Sequence, residues 1–163
     1  MGRLRLYRNV RAAVRQNDEH HEGTFHQPSR FWVGEHFMLS LALNGLRILV
    51  VEDEPIIALH MAQTLAEAGA KVIGPAPTVA RALHLLDCSQ VDAGVIDYRL
   101  EGETASVLAH RLAAMAVPFL FHTSSGNNPG LIHPGVPIVN KPSRPEQLVK
   151  AVCDLTRRTE RSG

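Results

Sequence analysis

From Leu46 onward the chain alternates two hydrophobic patterns. Short, nearly continuous apolar runs rich in branched residues recur at Leu46 to Val51, Val72 to Ile73, Val91 to Asp97 (ending on the acid), Val117 to His122 and Val136 to Val139. Runs of this kind are strands buried on both faces. Between them, apolar residues return every three or four positions, the spacing of one helix face. They are Ile56, Leu59 and Leu65, with His60 and Gln63, then Val79, Leu83, Leu85 and Leu86, then Val107, Leu108 and Leu112, and last Leu148, Val149, Val152 and Leu155.

The punctuation agrees with this reading. Pro55 suits the first turn of a helix that stops at Gly69, and the acids before it suit the positive helix start. Gly74 and Pro75 close the second strand, Thr78 can cap the second helix, and Gly102 to Met115 forms the third. Asn127 to Pro137 holds three prolines and two glycines, which limits any fourth helix to a turn or two. Pro145 and Glu146 open the last helix. Five strands alternating with helices predict an α/β fold, a parallel sheet covered by helices on both faces.

Composition changes this picture little. With 45% apolar residues, 20% charged residues and a formal charge of +1, the chain has the make-up of a soluble globular protein without global attraction to nucleic acid or membrane. No apolar run approaches the roughly 20 residues that span a bilayer, and no secretory signal opens the chain, so a cytoplasmic location is expected. Cys88 and Cys153 fall within helical stretches without paired spacing and are expected to be reduced and at least half buried. Residues 1–45 break the alternation and are expected to be a non-core extension. Arg3, Arg5, Arg8, Arg11 and Arg15 could form a basic arm, and His20, His21 and His26 a metal cluster. The plainer reading is a disordered leader upstream of a start at Met38. The core domain is expected over 46–158 and a polar tail over 159–163, leaving no room for a separate output module.

The chemistry sits where the strands stop. Glu52 and Asp53 follow the first strand, Asp97 ends the third, Thr123 follows the fourth and Lys141 the fifth. In a parallel sheet these positions share one edge, the ligand-binding edge of open α/β folds. Three carboxylates gathered there would repel, by about 4 kcal/mol for a pair about 4 Å apart at an effective dielectric near 20. A hard cation resolves this, and magnesium suits an incomplete oxygen shell completed by water and phosphate. Individually each residue has a plain alternative: helix-start acids, a turn threonine, a solvated lysine before Pro142. Jointly they point to one phosphate-handling site.

This set, in this order, resembles the receiver domain of two-component response regulators, over Leu46 to about Arg157. Pro118-Phe119-Leu120-Phe121-His122-Thr123 further resembles the stand-alone subgroup whose fourth strand reads Pro-Phe-x-Phe-Ala-Thr-Gly, with His122 and Ser124 in place of the Ala and Gly. The resemblance implies a flavodoxin-like sheet of order 2-1-3-4-5 with a short fourth helix, and a frequent cis bond before Pro142. It implies that Asp97 takes a phosphoryl group from a sensor histidine kinase or histidine phosphotransfer protein. Glu52, Asp53, Asp97 and the backbone carbonyl of Arg99 would hold Mg2+, while Thr123 and Lys141 would contact the phosphoryl oxygens.

Two departures bear on signalling. The aromatic residue that many receivers carry three positions before the lysine is Ile138 here, and His122 is expected to be buried beside the site. The short fourth helix favours a monomer, and outputs reduce to protein contacts or a phosphate sink, without DNA or membrane partners. The set reads as a phosphoacceptor rather than an enzyme. A degenerate receiver that binds proteins without phosphorylation is the alternative. A flavin module is disfavoured by the acidic loop after strand one, and a dehalogenase-type phosphatase by the position of its nucleophile.

Overall fold

The computed structural model describes residues 41–124 and 129–161, with side chains through Arg157. The basic and histidine-rich stretch of residues 1–40, Ser125 and Gly126 lie outside them.

The elements follow the predicted alternation. They are β1 (Arg47–Val51), α1 (Pro55–Glu67), β2 (Lys71–Ala76), α2 (Val79–Cys88), β3 (Ala93–Ile96), a two-residue ribbon β4 (Arg99–Leu100) and β5 (Glu103–Thr104), α3 (Ser106–Ala114), β6 (Phe119–Ser124), a 3-10 turn (Pro129–Leu131), β7 (Ile138–Lys141) and α4 (Pro145–Arg161). The five long strands pair in parallel in the order β2-β1-β3-β6-β7, and β4 and β5 form a small antiparallel ribbon. Counting the long strands alone, this is the 2-1-3-4-5 order implied by the resemblance.

Because side chains alternate along a strand, each central strand feeds both faces of the sheet. Leu49 and Val51 of β1 join Ile96, Phe121, Leu86, Leu108 and Leu112 under α2 and α3. Ile48 and Val50 join Val95, Leu120, Met61, Leu65, Leu148 and Val152 under α1 and α4. That two-sided burial is why β1 and β3 read as unbroken apolar runs. Leu43 is also fully buried, and its N–H bonds the Ala68 carbonyl at 2.9 Å, so packing begins upstream of Leu46.

Several details depart from the expectations. In α1 the buried stripe is Ala58, Met61, Thr64 and Leu65, which leaves Ile56 85% and Leu59 68% exposed. Val107 is likewise exposed, because Leu108, Ala109 and Leu112 form the inner face of α3. Cys88, expected to be at least half buried, is exposed at the end of α2, while Cys153 is buried. The ribbon at 99–104 delays the third helix from Gly102 to Ser106. The last strand starts at Ile138, after Pro137, which has no N–H to give to a ladder but accepts from Phe121 at 2.9 Å. The last helix runs to Arg161, past the expected start of the polar tail. Thr78 caps α2 as predicted, accepting from the Arg81 N–H at 3.2 Å. Among the described residues no helix is long and apolar enough to cross a membrane.

Gly74 is where β2 must be a glycine. Its φ is +105°, and a Cβ there would lie 2.8 Å from the Val50 carbonyl oxygen, at the shift in register between β1 and β2. Gly102 also has positive φ, +84°, but open space around it. Gly74→Ala is therefore expected to lower stability by about 2–4 kcal/mol, from backbone strain plus the clash, and Gly102→Ala by only about 1 kcal/mol. Urea unfolding of the two variants checks this, and equal losses would show that the close approach at Gly74 is unimportant.

Candidate functional site

Register places the acids side by side. Val51 pairs with Ile96, so Glu52 and Asp97 are the next residues on adjacent strands, and the Asp97 N–H still bonds the Val51 carbonyl at 2.8 Å. Both are buried, Glu52 at 1% and Asp97 at 6% exposure. Asp53 follows at the rim, where its Oδ2 accepts from the Glu101 N–H at 2.9 Å. One carboxylate oxygen from each of Glu52, Asp53 and Asp97 lies within 4.8 Å of the others.

Lys141 stands at the end of β7, two strands from β3, a separation of about 10 Å at ordinary strand spacing. Only a long side chain crosses that gap over β6. Its Nζ lies 2.5 Å from Asp97 Oδ2 and 2.5 Å from Glu52 Oε2, with the side chain almost wholly enclosed. Thr123, fully buried, lies on the intervening strand β6. It belongs to the strand itself, one residue before its end, rather than following it as the hydrophobic run suggested. The Arg99 N–H donates to Asp97 Oδ1 at 3.0 Å, which holds the loop after β3 against the carboxylate.

The electrostatics show a site with more negative than positive charge. Burial pushes the Glu52 carboxyl above its ordinary value, against the lowering effect of the Lys141 ammonium. Burial disfavours the Lys141 charge, yet the hydrogen bonds to Asp97 and Glu52 prevail and raise its pKa above the ordinary value. Glu52 Oε2 is buried, and its one partner among the described residues is the Lys141 ammonium, which it shares with Asp97. A carboxylate oxygen left in that condition beside two further acids fits a divalent cation with oxygen ligands. The described groups fit magnesium.

His122 precedes Thr123 on β6 and, as expected, is buried, at 4% exposure. Its Nε2 lies 2.9 Å from Ser143 Oγ, while Nδ1 has no partner. Burial above all, and then the Lys141 charge, push its pKa down to about 4. His122 and Lys141 also line a cavity of about 470 Å³ against Ile56, His60 and Met61 of α1 and Pro142 and Ser143. The Lys141–Pro142 bond is cis.

No family model matches this sequence, and no curated protein matches it significantly. Solved structures do. SdrG from Sphingomonas melonis Fr1 is 32% identical, with a TM-score of 0.61 over 70% of this chain and 97% of SdrG. A response regulator receiver protein from Sinorhizobium medicae WSM419 is 25% identical, with a TM-score of 0.63 over 70% of this chain and 96% of that one. The chain belongs to the response-regulator receiver domains. Its receiver fold is also that of the response regulator PhyR from Brucella abortus, at 24% identity and a TM-score of 0.64 over 77% of this chain. The chain spans about half the length of that PhyR structure, 54%.

Within the receiver, the structure brings Glu52, Asp53, Asp97 and Lys141 together, sets Thr123 on the strand between, and places Arg99 beside Asp97 through its amide. Sequence reading missed Ser143 and the Glu101 amide, which contact site residues only through tertiary packing. It also missed His133. Here that ring is buried against Tyr98 and Phe121, with Nε2 3.4 Å from Ser106 Oγ. A histidine inside a Pro/Gly-rich segment carries no periodicity that would mark it as core.

The buried His122 makes stability depend on pH. Its folded pKa is below the unfolded value near 6.5, so the unfolded chain binds the proton more tightly. The contribution is complete above 6.5 and is lost as pH falls toward 4. The loss is expected to reach about 3 kcal/mol, from roughly 1.4 kcal/mol per pKa unit. Urea midpoints between pH 4 and 7.5, compared with His122→Gln, isolate this part, and parallel curves for the two proteins would contradict it.

Proposed function

We propose that this receiver is a single-domain response regulator that accepts a phosphoryl group on Asp97 from a phosphohistidine of a sensor histidine kinase or histidine phosphotransfer protein. The observation that carries this reading is the Lys141 ammonium held 2.5 Å from both Asp97 and Glu52 in a nearly closed site. A structural ion pair needs one acid. An ammonium shared by two, beside a third acid and a buried threonine, leaves an excess of acceptor oxygens suited to a cation and a phosphate.

In the transfer an Asp97 oxygen forms a bond to phosphorus as the phosphorus–nitrogen bond to the donor imidazole breaks, and the freed imidazole nitrogen keeps that electron pair. Lys141 neutralises charge on a phosphoryl oxygen as it does on Asp97 now, as a point charge that the planar guanidinium of arginine would reproduce poorly. The Thr123 hydroxyl donates to a second oxygen. Glu52, Asp53, Asp97 and the Arg99 carbonyl would hold magnesium, which supplies further positive charge against the transferring group. The Arg99 amide on Asp97 Oδ1 keeps the carboxylate oriented.

The exposed Ile56 and Leu59 on α1, the helix that begins just after Glu52 and Asp53, support docking of a protein donor over the site. Output then passes through protein contacts, or the domain serves as a phosphate sink. The protein acts in the cytoplasm as a monomer, without DNA or membrane, and assists only its own phosphorylation and dephosphorylation rather than turning over a substrate.

The mass of the protein after incubation with acetyl phosphate or phosphoramidate and magnesium tests this. One added phosphoryl group is expected, absent in Asp97→Asn and with a chelator. Lys141→Ala is expected to slow its appearance by roughly 10²-fold, the cost of removing one charge-stabilising donor. No gain in mass, with beryllofluoride also failing to bind, would sink the phosphoacceptor reading and leave a receiver that binds partners without phosphorylation.

A further inference from the structure

We infer that His122 and Ser143 form a positioning pair that holds the Lys141 ammonium on Asp97. Lys141 ends β7, and two residues later Ser143 Oγ meets His122 Nε2 at 2.9 Å. His122 is anchored by its own strand, with the ladder pairing His122 to Val139 and Ser124 to Lys141. The chain on both sides of Lys141 is thus tied to β6, by the ladder before it and by the histidine after it. Beyond Ser143 the backbone turns into α4, and Arg144 is exposed and bonds only forward, to Gln147 at 3.0 Å. The segment also lines the cavity of about 470 Å³, with Ile56, His60 and Met61 of α1 across it.

The burial of His122 agrees with a fixed role. A ring enclosed to 4% exposure with Nδ1 unpartnered loses a hydrogen bond that water would supply, and it retains one, to Ser143. An apolar residue at this position would avoid that loss and would leave the Ser143 segment free to move. A stem that spans two strands magnifies any such movement at its ammonium. Displacements of about 1 Å at a reacting group are enough to cost orders of magnitude in rate.

This inference rests on the phosphoacceptor reading for its effect on rate, but the position of Lys141 can be read without it. Acetic anhydride labelling, located by peptide mass, reports the exposure of each amine, with the exposed Lys71 and Lys150 as internal references. In Ser143→Ala and His122→Ala, labelling of Lys141 is expected to rise severalfold at unchanged Lys71 and Lys150 labelling. Phosphorylation by acetyl phosphate is expected to slow by roughly tenfold. Ser143→Thr, which keeps the hydroxyl, recovers both, and neither alanine change slows a Lys141→Ala protein further. Urea midpoints of Ser143→Ala and Ser143→Thr within error of each other separate positioning from folding. Unchanged Lys141 labelling in both alanine variants, or a threonine variant as impaired as the alanine one, overturns the pair. A wild-type protein that takes no phosphate while the labelling shift persists overturns the phosphoacceptor reading alone.

Discussion

The ammonium of Lys141 is the one positive charge among the described residues that contacts both buried carboxylates of the site, at 2.5 Å from each. Without it, Glu52 and Asp97 would sit side by side at the end of adjacent strands with little but each other's charge to face. Taking such groups out of water is costly unless they are paired. The pairing is incomplete, since one lysine serves two acids and Asp53 stands a few ångströms away. The site is thus poised between a stable fold and an unfilled need for positive charge. That imbalance is what supports the proposal of a site for a cation and a phosphate rather than a structural salt bridge.

The rest of the architecture serves that edge. Parallel pairing sends β1, β3, β6 and β7 in one direction, so the residues just beyond their apolar runs converge without being near in sequence. Two cores, one on each face, hold the strands in register. A one-residue slip would turn every side chain to the opposite face, so the cores that stabilise the sheet also fix which acid stands beside which. Gly94 contributes here: a Cβ on it would come within 3.2 Å of the Phe119 Cβ, and its absence lets β3 and β6 approach under Leu112.

Around this common frame the chain carries its own histidines. His122 lies behind the site and His133 beside it, each buried and each with its pKa lowered chiefly by that burial. His133, Tyr98 and Phe121 form a cluster of rings on the α3 side of the sheet, where Tyr98 directly follows Asp97. Ile138, in register with Phe121 on the neighbouring strand, is partly exposed rather than part of that cluster. The ring contacts on Phe121 therefore come from Tyr98, Phe119 and His133, not from β7.

How much was legible in the sequence follows from the range of the forces involved. Strand and helix identity, the Thr78 cap and the alignment of Glu52, Asp53, Asp97 and Lys141 with strand ends rest on local periodicity, and a parallel sheet converts them into one edge. Strand limits were less legible, because where β6 and β7 stop depends on the partner across the ladder. Which face of α1 and α3 is inward was misread at Ile56, Leu59 and Val107, since large apolar residues on both flanks of a stripe look alike until the sheet is there to bury one of them. Contacts between distant side chains were not legible at all: the Ser143 hydroxyl on His122, the Glu101 amide on Asp53, the ring of His133 on Phe121. The sequence alone determined that a carboxylate cluster would meet a lysine at one edge of a parallel sheet. Only the tertiary structure decided that this lysine would be shared between two acids and tethered from behind, because those distances depend on how far each strand runs past its neighbour.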